Sequence, residues 1–232
     1  MTMDMFQKKI KLIFFDMDGV LVDIVGYTED GKKVAISTWN TLFDHLDIYH
    51  EHERLKELFI KGNFPSYMEW TNEACRTLRK NGLTRDKFIE FIDNRLLMNG
   101  AKETSYELKK RGYKTAVITG SFKTLAEKMQ KLLGLDYIIA HCELIFDENE
   151  KLKEWKLIPC DYEGKVEYFN KQVKELNLKP SECAYVGDEV NDIPIFREAG
   201  LSIAFNCYKE NVKKATNLVI DKKDLRKTLK YF

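Results

Sequence analysis

Five short, nearly continuous apolar runs recur along this chain: Lys11-Leu12-Ile13-Phe14-Phe15, Thr115-Ala116-Val117-Ile118, Tyr137-Ile138-Ile139-Ala140, Cys183-Ala184-Tyr185-Val186 and Leu201-Ser202-Ile203-Ala204-Phe205. Runs of this length without polar alternation predict strands buried on both faces, as in a parallel sheet. Leu218-Val219-Ile220 adds a sixth. Helical patterns lie between them, over 101–111, 123–133, 165–176 and 192–199. Gly112, Gly134 and Gly200 stand where three of these helices stop, and Pro180 follows the other. This alternation predicts an α/β fold, a doubly wound Rossmann-like parallel sheet.

Residues 24–98 break the alternation. After a Gly- and charge-rich stretch (26–33), the pattern predicts helices over 36–46, 51–60, 67–80 and 85–97. Thr84 suits the N-cap of the last helix, and Gly82 ends the one before it. The expected organisation is therefore an α/β core of residues 1–23 and 99–232, with a small helical cap domain inserted at 24–98. A second irregular piece, 143–159, predicts a β-hairpin. Its arms are Leu144-Ile145-Phe146 and Trp155-Lys156-Leu157-Ile158, and Asp147-Glu148-Asn149-Glu150 forms the turn. Its position suits either a dimer contact or a cover for the edge of a site.

Composition narrows the class of partner. The chain has 232 residues, 44% hydrophobic and 32% charged, with 38 Lys+Arg against 37 Asp+Glu. A near-neutral balance argues against a nucleic-acid partner. Any positive charge facing an anionic ligand must be local. Cys75, Cys142, Cys160, Cys183 and Cys207 are odd in number and form no C-x-x-C pair, so reduced thiols are expected. No run approaches the length of a membrane span, and residues 1–11 lack an apolar stretch of signal-peptide length. These features predict a cytoplasmic protein without a membrane partner.

Ligands of doubly wound sheets bind at the carboxyl ends of the strands. Asp16, Thr119 and Asp188 each follow an apolar run and are expected to meet there. In Asp16-Met17-Asp18-Gly19 two carboxylates lie close together. One can stay ionised as a nucleophile while the other holds a proton. Gly187-Asp188-Glu189-Val190-Asn191-Asp192 places two more carboxylates around a helix start, where Asn191 or Asp192 can also serve as a cap. Magnesium favours such oxygen ligands. Asp16 and Asp188 suit direct coordination, and Asp192 suits either a water-mediated role or the orientation of its neighbours. Lys165 sits near a helix start, where its charge opposes the helix dipole. The Thr119 hydroxyl, with the Gly120 and Ser121 amides, suits donation to a phosphoryl oxygen.

Taken together, these segments resemble the haloacid dehalogenase superfamily in its phosphatase branch. Asp16 through Asp23 is similar to its first motif and Val117-Ile118-Thr119-Gly120 to its second. Lys165 is similar to its third, and Gly187-Asp188 with Asn191-Asp192 to its fourth. The motif spacing and the inserted helices resemble those of phosphoserine phosphatases. The resemblance implies magnesium-dependent hydrolysis of a small-molecule phosphomonoester through an aspartyl phosphate. It makes Asp16 the nucleophile and Asp18 the acid/base. Thr119, Gly120, Lys165 and Asn191 contact the phosphate, and Asp16, the Asp18 main chain, Asp188 and Asp192 form the Mg2+ site. The presence of Asp18 argues against a dehalogenase.

The expected partner is a small phosphorylated metabolite, on a monomer or homodimer. Phosphoserine is one candidate. However, the glutamate that phosphoserine phosphatases use for the substrate amine falls close to Val25 here, with Glu29 and Asp30 as substitutes nearby. Lys61 is a candidate for a substrate carboxylate. His45, His50 and His52 cluster with Asp47, a conceivable metal site. Trp39, Trp70, Phe43, Phe59 and Phe64 are expected to form cap core. Two other functions remain open at this level: a phosphotransferase or phosphomutase using the same aspartyl phosphate, and a regulatory binding protein on a silent scaffold.

Overall fold

In the computed structural model, which describes residues 9–24, 26–27, 33–34 and 36–232, the apolar runs become strands of one sheet. The strands are β1 (Leu12–Phe15), β2 (Gly26–Tyr27), β3 (Lys33–Val34), β4 (Lys114–Phe122), β5 (Tyr137–Phe146), β6 (Leu152–Leu157), β7 (Cys183–Gly187), β8 (Leu201–Phe205) and β9 (Leu218–Ile220). Seven of them form a sheet in the order β6-β5-β4-β1-β7-β8-β9, and β2 and β3 form a separate short ladder. Every neighbouring pair in the large sheet is parallel except β5 and β6. From β1 the chain moves outward through β4, β5 and β6, then returns to β7 on the other side of β1. The crevice at the carboxyl ends of β1 and β7 is therefore the topological switch point, where α/β sheets bind ligands.

The unbroken apolar runs have a direct physical cause. Ile13 and Phe15 bury on one face with Val117, Val186 and Ile203. Leu12 and Phe14 bury on the other with Ala116, Ile118 and Tyr185. Successive strand residues point to opposite faces, so both faces need apolar side chains. Nine α-helices are described: α1 (Thr38–His45), α2 (Tyr49–Ile60), α3 (Tyr67–Lys80), α4 (Arg85–Asp93), α5 (Ala101–Lys110), α6 (Lys123–Leu133), α7 (Glu163–Glu175), α8 (Ile193–Glu198) and α9 (Glu210–Lys214). Buried residues of α1–α6 join the first face, and those of α7–α9 the second. The inserted helices thus share the hydrophobic core of the sheet.

Several elements differ from the sequence pattern. The fourth inserted helix ends at Asp93, not near 97, because the chain turns back to the core. There Met98 N–H donates to the Leu21 carbonyl and Leu97 bridges Val22. β4 runs on past Ile118 to Phe122, with a register shift against β5 between Thr119 and Phe122. A bulge of this kind bends the strand and re-aims its side chains beside a site. The 192–199 helix begins as a 3-10 turn (Val190–Asp192) before α8.

The hairpin forms, with β5 itself continuing into its first arm, and it docks onto the inserted helices. Trp155 Nε1 donates to Asn72 Oδ1 at 2.9 Å. The Arg79 guanidinium lies 5.2 Å from the Trp155 ring, and Arg85 N–H donates to the Glu150 carbonyl at 2.8 Å. The hairpin therefore braces α3 and α4 against the sheet.

His141 completes this brace from inside. It is 1% exposed. Its Nδ1 lies 2.6 Å from the Ile158 carbonyl, and its Nε2 lies 3.0 Å from the Thr71 hydroxyl on α3. Burial pushes the imidazole from its usual 6.5 down to about 4. Below pH 6.5 the unfolded chain takes a proton that the folded chain refuses until about pH 4, so this group withdraws stability as pH falls through that window. Across it the loss is about 3 kcal/mol. His141→Gln is expected to be less stable at pH 7, yet to lose less stability between pH 7 and pH 4. Urea midpoints of both proteins at the two pH values measure this difference.

Candidate active site

β1 ends at Phe15, and the next residue, Asp16, is anchored by its N–H to the Val186 carbonyl of β7 at 2.9 Å. Its side chain is thereby aimed into the switch-point crevice. The chain then turns through Gly19. This residue has φ +77°, and a Cβ there would lie 2.2 Å from Asp188 Oδ2. Both the left-handed backbone and the close approach of Asp188 require glycine.

Lys165, in the first turn of α7, has no exposed surface. Its Nζ lies 3.0 Å from Asp16 Oδ1 and 2.6 Å from Asp192 Oδ1. The Tyr185 hydroxyl donates to the same Asp192 oxygen at 2.7 Å. The other oxygen, Oδ2, accepts the Asp188 and Glu189 amides at 2.9 and 3.1 Å. Asp192 is thus engaged by four donors from the protein. Burial alone would lower the Lys165 pKa, but Asp16 and then Asp192 raise it well above the usual value. The lysine stays charged.

Carboxylates around it are also shifted upward, toward their neutral form. Burial raises Asp16, with further contributions from Asp192 and Asp18, and Lys165 opposes the shift. Burial likewise raises Asp188, helped by Asp16, Asp192 and Glu189. Asp188 Oδ1 is buried with no hydrogen-bond partner. Carboxylate oxygens of Asp16, Asp188 and Asp192 lie within 4.8 Å of one another. Crowded, desolvated carboxylates with an unpartnered oxygen suit a hard divalent cation, which favours oxygen ligands and lowers the energy of the anions.

Asp18 is held from the inserted segment. Thr38 N–H donates to Asp18 Oδ2 at 2.7 Å, and its hydroxyl donates to Oδ1 at 2.5 Å. Thr38 opens α1, whose first N–H groups lack intrahelical partners and favour an anion. Ser37 caps this helix in a capping box with Asn40. Burial raises the Asp18 pKa, and the two Thr38 bonds pull it back.

The second motif lies in the bulged end of β4. Thr119 Oγ1 accepts the Ser121 N–H at 3.1 Å, which leaves the hydroxyl proton available to a ligand. Ser121 Oγ is buried without a partner. The Gly120 carbonyl accepts Trp39 Nε1 at 3.1 Å and faces the Tyr67 hydroxyl at 3.4 Å. A Cβ on Gly120 would lie 2.3 Å from Asp161 Oδ2, so this glycine permits close approach of the loop before α7. Asn191 Nδ2 donates to Asp161 Oδ1 at 2.6 Å.

Asp16, Asp18, Thr119, Gly120, Asp188 and Asn191 all line one cavity. Lys165 reaches it through Asp16, while Asp192 stands behind the lysine. Other expectations end elsewhere. Lys61 is exposed beside Glu57 at 3.4 Å. His45 packs on Phe91, His50 is exposed, and His52 contacts Asn40 and the rings around it. Among the described residues these histidines form no metal-binding group. Val25, Glu29 and Asp30 lie outside the described residues. Thr38, Tyr185 and Asp161 were missed. Only Thr38 carried a sequence signal, as the residue after a Ser37…Asn40 capping pattern.

Comparison with known proteins places this geometry in a class. A family model of haloacid dehalogenase-like hydrolases matches residues 10–200. The phosphoserine phosphatase of Methanocaldococcus jannaschii is 32% identical over 237 residues, covering 97% of this chain and 99% of that protein. The phosphoserine phosphatase of Wolinella succinogenes is 31% identical over 220 residues, covering 95% and 98%. A crystal structure of a phosphoserine phosphatase in apo form superposes with TM-score 0.78 at 29% identity, covering 97% of this chain and all (100%) of that one. The chain belongs to the haloacid dehalogenase-like hydrolases. Within them it is a phosphatase.

The buried lysine yields a stability prediction. Removing its charge strands Asp16 and Asp192 as buried carboxylates, and breaking such a set costs about 3–5 kcal/mol. Lys165→Met is expected to lose stability on this scale at pH 7. Adding Asp192→Asn is expected to restore part of it. Urea denaturation of the two variants measures both effects.

Proposed function

We propose that this phosphatase hydrolyses its phosphomonoester with Asp16 as nucleophile and Asp18 as acid and base. The observation that carries this reading is the buried Lys165 at 3.0 Å from Asp16 Oδ1. It fixes one carboxylate oxygen and leaves Oδ2 to attack phosphorus in line. The phosphorus–oxygen bond to the alcohol breaks as the bond to Asp16 forms, and the alcohol leaves with a proton from Asp18. Water then attacks the phosphoaspartate, giving its proton to Asp18 and releasing phosphate. The Thr119 hydroxyl, nearby main-chain amides and the Lys165 ammonium stabilise the charge on the phosphoryl oxygens.

In this reading the Asp16 and Asp188 carboxylates and the Asp18 main-chain carbonyl would hold magnesium. When bound, the metal screens repulsion between the phosphate and these anions. Asp192 acts through Lys165 and the Asp188 loop, because its own oxygens are already engaged. Asn191 borders the phosphate from beside Asp161. Residues 24–98 act as the cap, with Thr38 bringing it onto Asp18. Phosphoserine, named for the relatives above, is the first natural ester to test. No described helix is long and apolar enough to cross a membrane. The five free, buried cysteines support a reducing, cytoplasmic setting.

Asp16→Asn is expected to abolish phosphate release from p-nitrophenyl phosphate while circular dichroism and the urea midpoint show a folded protein. Near-normal release by that variant would sink the assignment. Chelation with EDTA is expected to stop turnover, and added Mg2+ to restore it. Thr38→Ala removes a hydrogen bond to a charged group and is expected to slow turnover of an alkyl phosphate about tenfold. Thr38→Ser is expected to retain the rate, and steady-state kinetics of the pair tests this.

A further inference from the structure

The cavity that opens on Asp16 and Asp18 has a volume of about 560 Å³. A phosphoryl group on a three-carbon body fills only part of that space, which lies in the range that accommodates larger small molecules. Beside Ile36, Ser37, Asn40 and Lys56, its wall carries a group of rings. Tyr67 stacks on Trp70 with centroids 5.3 Å apart and planes 18° apart. Tyr162 lies 5.6 Å from Tyr67, and Phe59 meets Tyr67 and Trp70 edge-on at 6.4 and 6.5 Å. Farther along, Tyr49 stacks on His52 at 5.8 Å.

This wall begins next to the phosphate cradle, because the Tyr67 hydroxyl lies 3.4 Å from the Gly120 carbonyl. Phe59 and Tyr67 are only partly buried, and Tyr49 is 41% exposed. Their surfaces are therefore open to a ligand as well as packed into the cap. Of the charged side chains lining the cavity, Glu189 pairs with Lys209 at 2.6 Å and Lys56 with Glu53 at 3.4 Å, while the Asp161 carboxylate accepts Asn191 Nδ2 at 2.6 Å. A substrate carboxylate buried against this wall would lose water and meet Lys56 and Lys209 already paired. A planar ring gains offset and edge-on contacts with aromatic neighbours.

We propose that the cap selects an ester whose alcohol carries an aromatic or heteroaromatic ring one or two bonds from the ester oxygen. The inference rests on the phosphomonoesterase reading above and specifies its substrate class. Phe59 and Tyr49 touch neither the nucleophile nor the phosphate cradle, so they set ring preference apart from chemistry.

Leaving-group reactivity must be held nearly constant in the test, so benzyl phosphate is compared with ethyl phosphate, phosphoserine and choline phosphate in the presence of Mg2+. Benzyl phosphate is expected to show a kcat/KM about tenfold above each of the others. Phe59→Ala and Phe59→Leu are both expected to erase most of that advantage through KM, with the ethyl phosphate rate unchanged. The leucine variant keeps the apolar volume and guards against a folding defect. Phosphoserine or ethyl phosphate turned over as fast as benzyl phosphate would overturn the ring preference alone. Choline phosphate outrunning benzyl phosphate would assign the wall to a quaternary cation and also overturn it. A ring advantage that survives in both Phe59 variants would remove it from this wall. Failure of every ester, p-nitrophenyl phosphate included, would instead overturn the reaction and this inference with it.

Discussion

Burying one ammonium between two carboxylates costs several kcal/mol per ion in desolvation, and mutual attraction offsets that only when every charge is well placed. Here Lys165 meets Asp16 at 3.0 Å and Asp192 at 2.6 Å, and Asp192 takes three further hydrogen bonds. The arrangement is better understood as a geometric constraint than as a source of net stability. It ties together the end of β1, the first turn of α7 and the turn after β7. Those are the elements whose relative placement decides where the Asp16 carboxylate points. It also explains why a lysine can stand in the first turn of a helix against the dipole: neighbouring carboxylates outweigh it.

The inserted helices depend on the same site from the other side. Thr38 grips the Asp18 carboxyl and Trp39 grips the Gly120 carbonyl, so the first turn of α1 touches two motifs at once. Behind it, the hairpin braces α3 through Trp155 and Asn72, and His141 links β5 to α3. Because the buried residues of these helices are continuous with one sheet face, the inserted helices and the sheet are coupled by packing as well as by polar contacts. The cavity walls are consequently set by two layers that fold as neighbours.

Much of this was legible along the chain. The strands lie where unbroken apolar runs stand, since a sheet covered on both faces cannot tolerate alternation. The third inserted helix has the bounds that its pattern predicts, Tyr67–Lys80, and Thr84 caps the fourth. Asp16, Thr119 and Asp188 line one cavity with Lys165 behind them, although they are far apart in sequence. Other features carried no local signal. Asp161 and Tyr185 look like ordinary residues of a loop and a strand, and become site neighbours only when α7 and β7 pack together. Lys61 was a candidate for a substrate carboxylate, and it stands exposed beside Glu57.

The sequence by itself determined the fold class through its periodicity, and the resemblance of its four short motifs to those of the haloacid dehalogenase phosphatases marked the residues expected to meet at the site. Only the tertiary structure decided what surrounds them. The engagement of Asp192, the clasp of Thr38 on Asp18 and the ring-lined wall each join segments with no fixed sequence relation. Their distances are set by how helices seat on the sheet, and that seating follows from side-chain packing across the core.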